Sequence, residues 1–127
     1  MARTNSCLYK LSNSKHFAKG INDVLICKEL PEAKIEALTM HRSKDLTADQ
    51  VIVFGLRNKV FPSKGRAYHW IFEYFKLDSI TEKIPYAEER RVFYVALTRT
   101  RNKVYLVVPK SKFSKSEFIN EIEKMIF

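Results

Sequence analysis

The chain has 127 residues, 46% of them hydrophobic and 13% aromatic, which is enough to build the core of a single domain. Its 23 lysines and arginines outnumber its 14 acidic residues, so the formal net charge of +9 favours a polyanionic partner. It contains no signal peptide and no apolar run long enough to span a membrane, which argues against a membrane partner and predicts a cytoplasmic location. Its two cysteines and three histidines are widely scattered, so no metal site is expected.

The N-terminal half contains three candidate strands. Residues 1–20 mix polar and apolar side chains without a period and predict an irregular N-terminal segment. Short apolar runs predict a strand over Asp23 to Cys27 and another over Ile35 to His41. Gln50 to Leu56 forms a continuous apolar run rich in β-branched residues, which is typical of a strand buried on both faces of a parallel sheet.

The C-terminal half predicts a helix, a strand and a second helix. Tyr86 to Leu97 has helical spacing, and Lys103 to Val108 is a strand that ends before a proline. Ser114 and Glu117 are spaced as a capping box, which predicts a C-terminal helix over residues 114–126. Strands that alternate with helices predict an α/β domain with a mainly parallel sheet flanked by helices.

The segment between these halves, residues 57–85, is basic and aromatic. Tyr68 to Phe75 within it predicts a short helix or a packed loop. The aromatic side chains of this stretch have two interpretations. They can form a small separate core beneath a long loop, or a surface on which bases stack.

Four arginines bracket the apolar part of the predicted helix, Arg90 and Arg91 at its start and Arg99 and Arg101 at its end. A buried helix holds such side chains in place, and the planar guanidinium matches a phosphate bidentately. Two simpler interpretations remain open. Arg99 can interact with the helix dipole at a C-terminus, and Arg90 and Arg91 can form local ion pairs with the preceding glutamates on a solvated face.

Two stretches resemble motifs of the superfamily 1 helicases of the UvrD, Rep and PcrA type. Residues 39–56, TMHRSKDLTADQVIVFGL, resemble motif V, which in that family is T-x-H-x-x-K-G-L-E before an apolar strand. Residues 88–101, EERRVFYVALTRTR, resemble motif VI, E-E-R-R-L-x-Y-V-A-x-T-R-A. The motifs occur in the family's order, and the resemblance covers about residues 35 to 108.

The length fits a single domain over residues 1–127. The resemblance implies that this is the second RecA-like domain of an ATP-dependent DNA helicase, or the C-terminal part of that domain. The sequence has no G-x-x-x-x-G-K-[ST] loop, so we expect the chain alone to bind no cofactor and to hydrolyse no ATP. The implied partners are single-stranded or partly duplex DNA and an N-terminal P-loop RecA-like domain of the same protein. ATP with Mg²⁺ would bind between the two domains of the full-length enzyme.

The same resemblance assigns roles to individual residues. Arg99 would be the catalytic arginine finger that reaches the γ-phosphate of ATP. Together with Arg99, Thr47 and Arg91 would be the residues that bind the nucleotide. The residues that would contact the DNA backbone are Thr39, His41, Ser43 and Lys44.

Two departures from the family pattern leave a second function open. Asp45 stands where the family has glycine, and Thr47 stands where it has a glutamate that contacts the ribose of the nucleotide. These changes suit a non-catalytic nucleic-acid-binding or interaction module that kept the fold and lost the motor. His41 also has a simpler interpretation than DNA contact, in which it is a solvent-facing residue of a turn.

Overall fold

A computed structural model of the chain describes residues 1–62 and 86–126, so the element predicted at Tyr68 to Phe75 lies outside the described residues. The described ranges form a mixed α/β structure, and none of their helices is long and apolar enough to cross a membrane. In chain order the elements are α1 (Asn5–Ser12), β1 (Phe17–Lys19), β2 (Val24–Cys27), β3 (Ile35–Glu36), β4 (Ala48–Val53), α2 (Ala87–Leu97), β5 (Thr100–Leu106) and α3 (Glu117–Ile126).

The predicted parallel pairing is found between β4 and β5, where Val51 lies opposite Val104. The expectation that β4 is buried on both faces was wrong, because Val51 and Val53 are buried while Ile52 between them is 54% exposed. Two further segments continue this pattern on the other side of β4. The carbonyl of Met1 accepts from the amide of Phe54, and Ala2 pairs in parallel with Thr39. The parallel segments therefore lie side by side in the order 38–40, 1–2, β4 and β5.

The remaining strands form a separate antiparallel sheet in the order β1, β2 and β3, so the expectation of a mainly parallel sheet holds only for the segments around β4. The predicted strand over Ile35 to His41 is also divided. Its first two residues are β3, and Leu38 to Met40 leave that sheet to pair beside Ala2. The sequence pattern missed this division because one apolar run serves two different partners.

The prediction of an irregular segment over residues 1–20 was wrong, because this range contains α1 and β1. None of the residues of α1 is buried, so the helix lacks the apolar face that sequence periodicity detects. The strand β1 is formed by its antiparallel hydrogen bonds to β2, and its short sequence carries no strand signal of its own.

The main core lies between the parallel sheet and the two C-terminal helices. Val92, Phe93 and Ala96 form the buried stripe of α2, and Val51 and Val53 project to the same cluster from β4. Three rings fill its centre. Phe61 makes edge-to-face contacts with Phe93 at 5.4 Å and with Phe118 at 5.2 Å between centroids.

The start of α3 differs from the predicted capping box. The helix begins at Glu117, and the buried Ser116 is its N-terminal cap, because its Oγ accepts from the amide of Phe118 at 3.3 Å. Ser114 instead belongs to a 3₁₀ turn, Lys112–Ser114, and its carbonyl accepts from the amide of Asn58. Ser114 and Ser116 both precede Glu117, so the sequence pattern placed the cap two residues too early.

An ion pair joins α2 to α3. Arg90 donates to both carboxylate oxygens of Glu121, at 2.6 and 2.8 Å, and its guanidinium lies 4.8 Å from the ring centroid of Phe118. The hydrogen bond from Arg90 lowers the pKa of Glu121. This contact uses Arg90 for packing between the two helices.

We predict that Phe61→Ala lowers the free energy of unfolding by about 3–5 kcal/mol, because it leaves a cavity among three rings. Chemical denaturation measures this loss. Phe113→Ala is the matched control, since 92% of Phe113 is exposed, and it should change stability by less than about 0.5 kcal/mol. Equal losses in the two variants would contradict the position of Phe61 in the core.

We predict that Glu121→Gln lowers stability at pH 7 by no more than about 1 kcal/mol, because the ion pair is partly exposed. The lowered pKa of Glu121 means that the pair stabilises the fold above the ordinary pKa of glutamate and loses this effect as the pH falls through the lowered value. The gap between the two proteins should therefore close in acid. The exposed Glu32→Gln is the control, and denaturation between pH 7 and pH 3 makes the comparison.

Candidate functional site

Parallel pairing gives the sheet two distinct edges. The carboxyl edge is where segments 38–40 and 1–2 end, and it carries His41 and Arg3. The amino edge is where β4 and β5 begin, and it carries Thr47 and Arg99. Helix α2 runs from one edge to the other, because its first turn contacts Arg3 and its last residue leads into β5.

Arg99 lies at the amino edge between α2 and the turn of residues 41–47. Its Nε donates to the carbonyl of Val95 at 3.2 Å, and its Nη1 donates to the carbonyl of Lys44 at 2.6 Å. Within residues 1–62 and 86–126, no carboxylate is within ion-pair distance of Arg99. The contact with Val95 is the one that the helix-terminus interpretation expects. The positive charge nevertheless has no anionic partner in the described ranges.

Thr47 is close to Arg99 along the backbone, because the amide of the next residue, Ala48, donates to the carbonyl of Arg99 at 2.9 Å. Arg91 is not close to it. The Oγ1 of Thr47 accepts from Arg101 at 3.1 Å, and Arg101 also approaches Asp49 at 3.8 Å. Arg91 lies two turns back on α2, about 12 Å from Arg99 along the helix axis. It is exposed and pairs with Glu88 at 3.5 Å, as the local ion-pair interpretation predicted. The structure therefore brings together only two of the three residues expected to bind nucleotide.

The predicted DNA-contacting residues divide into buried and exposed members. Ser43 is fully buried, and its hydroxyl donates to the carbonyl of Met40 at 2.7 Å. Thr39 is also buried, and its Oγ1 accepts from the amide of Arg42. These hydroxyls shape the turn and do not face solvent, which disagrees with the expectation that they contact DNA.

His41 and Lys44 are the exposed members of the same turn. His41 Nδ1 lies 3.4 Å from Arg3 Nη1, so it faces the carboxyl edge, whereas Lys44 follows the turn toward Arg99. Asp45 is not among the described residues with positive φ. Replacement of the family's glycine therefore introduces no left-handed backbone at this position.

Arg3 is a charged residue of the carboxyl edge that sequence reasoning missed. Its Nε and Nη2 donate to both carboxylate oxygens of the buried Glu89, at 2.6 to 3.0 Å. The hydrogen bond to Glu89 raises the pKa of Arg3. The two residues are 86 positions apart, so no local pattern could have indicated the pair.

The donors of the amino edge suit the anionic part of a nucleotide. The guanidinium of Arg99 can bind phosphate oxygens, and the hydroxyl of Thr47 can bind a ribose or phosphate group. A divalent cation prefers several carboxylate oxygens, and within the described ranges no three His, Cys, Asp or Glu side chains form such a group. The donors of Arg99 and Thr47 therefore fit the phosphates of a nucleotide.

Three DNA helicases are similar to the chain. It is 33% identical over 116 residues to a "Probable DNA helicase" of Mycoplasma pneumoniae, covering 87% of the chain and 20% of that protein. It is 37% identical over 97 residues to "DNA helicase IV" of Escherichia coli, covering 75% and 14%. It is 32% identical over 102 residues to a "Probable DNA helicase II homolog" of Mycoplasma capricolum, covering 74% and 12%. The chain thus spans a fifth or less of each relative.

A family model supports the same grouping. The model of the UvrD-like helicase C-terminal domain matches residues 8–111, which is most of the chain and includes both motif-like stretches. The match also includes α2, the turn of residues 41–47 and the strands whose ends carry Thr47 and Arg99. The chain belongs to the UvrD-like helicase C-terminal domain family.

Proposed function

We propose that the chain acts as the second RecA-like domain of an ATP-dependent DNA helicase. In this function Arg99 is the arginine finger, and the turn of residues 41–47 contacts single-stranded DNA. Family membership and three relatives named as DNA helicases support the proposal. The parallel order of segments around β4 supports the RecA-like assignment, since such sheets carry ligands at their strand ends.

The observation that carries this proposal is the hydrogen bond between Arg99 and the carbonyl of Lys44. It joins the residue proposed to sense the nucleotide to the turn proposed to hold DNA. A phosphate oxygen is charged and attracts a guanidinium more strongly than a neutral carbonyl does. Arg99 would therefore exchange the Lys44 carbonyl for phosphate when a nucleotide is bound, and this exchange would release one restraint on the turn.

ATP with Mg²⁺, held by a P-loop domain, would supply the γ-phosphate whose developing charge requires a cation. Arg99 would donate to this group from the amino edge, and Thr47 would offer a hydroxyl beside it. Because Thr47 has no carboxylate, it forms a weaker bond to a ribose hydroxyl than the family's glutamate does. Arg91 lies too far along α2 to join these two residues without a change in structure.

The DNA contacts would come from His41 and Lys44, the exposed members of the turn. Lys44 offers an ammonium group to a backbone phosphate, and His41 offers a ring nitrogen at the carboxyl edge. Thr39 and Ser43 would act indirectly, since their buried hydroxyls fix the backbone from which the other two side chains project.

We predict that Arg99→Ala lowers single-strand-stimulated ATP hydrolysis about 10³-fold, because an arginine finger stabilises charge on the transferred phosphoryl group. The assay uses the longest natural product that carries this segment. Arg91→Ala removes a guanidinium from within α2, about 12 Å from Arg99, and should lower this activity less than tenfold. Activity that survives Arg99→Ala would refute the finger, and an inactive parent would favour the non-catalytic binding module.

We predict that the 127-residue chain binds single-stranded DNA weakly and with strong salt dependence, since phosphate contacts dominate such affinity. Lys44→Ala should make the slope of log K against log salt less steep by about 0.7, the value for one phosphate contact on a single strand. The backbone carbonyl that Arg99 uses remains in this variant. Lys34→Ala, which removes an exposed lysine from another surface, is the control. An unchanged slope for Lys44→Ala would contradict the contact.

A further inference from the structure

The guanidinium of Arg3 divides its donors between two side chains at the carboxyl edge. Its Nε and Nη2 donate to the carboxylate of Glu89, which lies in the first turn of α2, at 2.6 to 3.0 Å. Its Nη1 lies 3.4 Å from Nδ1 of His41, the residue that follows segment 38–40. Arg3 therefore joins the start of α2 to the turn of residues 41–47.

The pair with Glu89 fixes the direction in which the remaining donor of Arg3 points. Only 21% of the Arg3 side chain and 9% of the Glu89 side chain are exposed. The guanidinium is planar and rigid, so two nitrogens bound on one side determine the position of Nη1 on the other. The backbone before Arg3 is also held, because the carbonyl of Ala2 accepts from the amide of Met40 at 2.9 Å. Nη1 is therefore presented to His41 from a fixed position.

The contact with Arg3 determines which nitrogen of His41 carries a proton. Arginine has no acceptor, so Nδ1 of the histidine must accept the hydrogen bond and carries no proton itself. The ring is then neutral, and its single proton lies on Nε2. His41 is exposed, so this N–H is open to a ligand. A phosphate oxygen accepts hydrogen bonds, and it can bind a protonated ring nitrogen but not a bare one.

We propose that Arg3 is a positioning residue for His41, which it holds as a neutral ring whose Nε2–H donates to a phosphate of the DNA backbone. The identity of the ligand rests on the proposed function, whereas the state of the ring follows from its contact with Arg3. Arg3 acts through His41 and not on DNA directly, because its own charge is paired with the buried Glu89. At 3.4 Å the bond to His41 is long, so its main effect is on the tautomer and direction of the ring.

A neutral donor leaves a different mark on DNA binding from that of a cation. The slope of log K against log salt counts the phosphates that positive side chains neutralise, and a neutral hydrogen bond does not enter it. His41→Ala should therefore weaken binding of a single-stranded oligothymidine by the 127-residue chain about tenfold at pH 7 and leave the slope unchanged. Lys44→Ala, in the same turn, should make the slope less steep by about 0.7. An equal change of slope in His41→Ala would overturn the neutral ring.

The state of the ring is measured by ¹⁵N NMR of the histidine-labelled chain without DNA, above the ordinary pKa of histidine. The parent should show an unprotonated Nδ1 and a protonated Nε2 for His41, whose signals are those that His41→Ala removes. Arg3→Lys keeps a cation for Glu89, but one ammonium group cannot also reach the ring. In this variant the two nitrogen signals should move toward each other, because the ring exchanges between its neutral tautomers. Arg42→Lys, beside His41 and paired with Asp23, is the matched control and should leave them in place.

The DNA titration then shows whether Arg3 acts through His41. Arg3→Lys should weaken binding about threefold in the parent and have no effect in His41→Ala, since the two residues are coupled. Equal losses in both backgrounds would show a merely structural role and overturn the inference, as would a parent spectrum unchanged by Arg3→Lys.

The NMR result also separates this inference from the proposed function. If the parent chain fails to bind the oligonucleotide, the proposed DNA contact fails, and the spectrum still decides whether Arg3 positions the ring. If Arg3→Lys does not fold, Arg3→Met combined with Glu89→Leu takes its place, because it leaves no buried charge unpaired.

Discussion

Burial of one face of α2 against β4 is the constraint on which the rest of the structure depends. Val92, Phe93 and Ala96 fix the rotation of the helix, and each large side chain contributes about 1.5–3 kcal/mol when it is fully buried. With this rotation, Glu89 faces Arg3 at the carboxyl edge and Arg99 leaves the helix at the turn of residues 41–47. The packed helix therefore places these two contacts at opposite edges of the sheet.

The sequence correctly predicted the helices and strands whose apolar residues follow a local pattern. β4, α2, β5 and the end of α3 occur within about three residues of their expected bounds, because each presents a continuous or periodic apolar face. The helix α1 and the strand β1 were missed because they have little or no buried apolar surface and depend on partners elsewhere in the chain. The strand expected over Ile35 to His41 was divided for a related reason, since segment 38–40 pairs beside Ala2 and not with β2.

The site was predicted less completely than the fold. The resemblance to the helicase motifs named Arg99 and Thr47 as site residues, and the structure places their backbones near each other, since the amide of Ala48 donates to the carbonyl of Arg99. It could not indicate that Ser43 and Thr39 are buried, since that depends on the backbone conformation of one turn. It also could not indicate Arg3, whose partner Glu89 is 86 residues away in the chain.

The distribution of ion pairs gives an independent reason to separate the arginines by role. Five of the described arginines have a carboxylate within 4 Å, namely Arg3, Arg42, Arg90, Arg91 and Arg101. An arginine in such a pair must give up a charged partner before it can bind a phosphate, and that loss offsets much of the gain. Among the described arginines, Arg57 and Arg99 have no such carboxylate, and they lie at opposite edges of the same sheet. Among the described arginines, Arg99 can therefore bind an anion without breaking an ion pair, and it lies at the edge where a nucleotide is proposed.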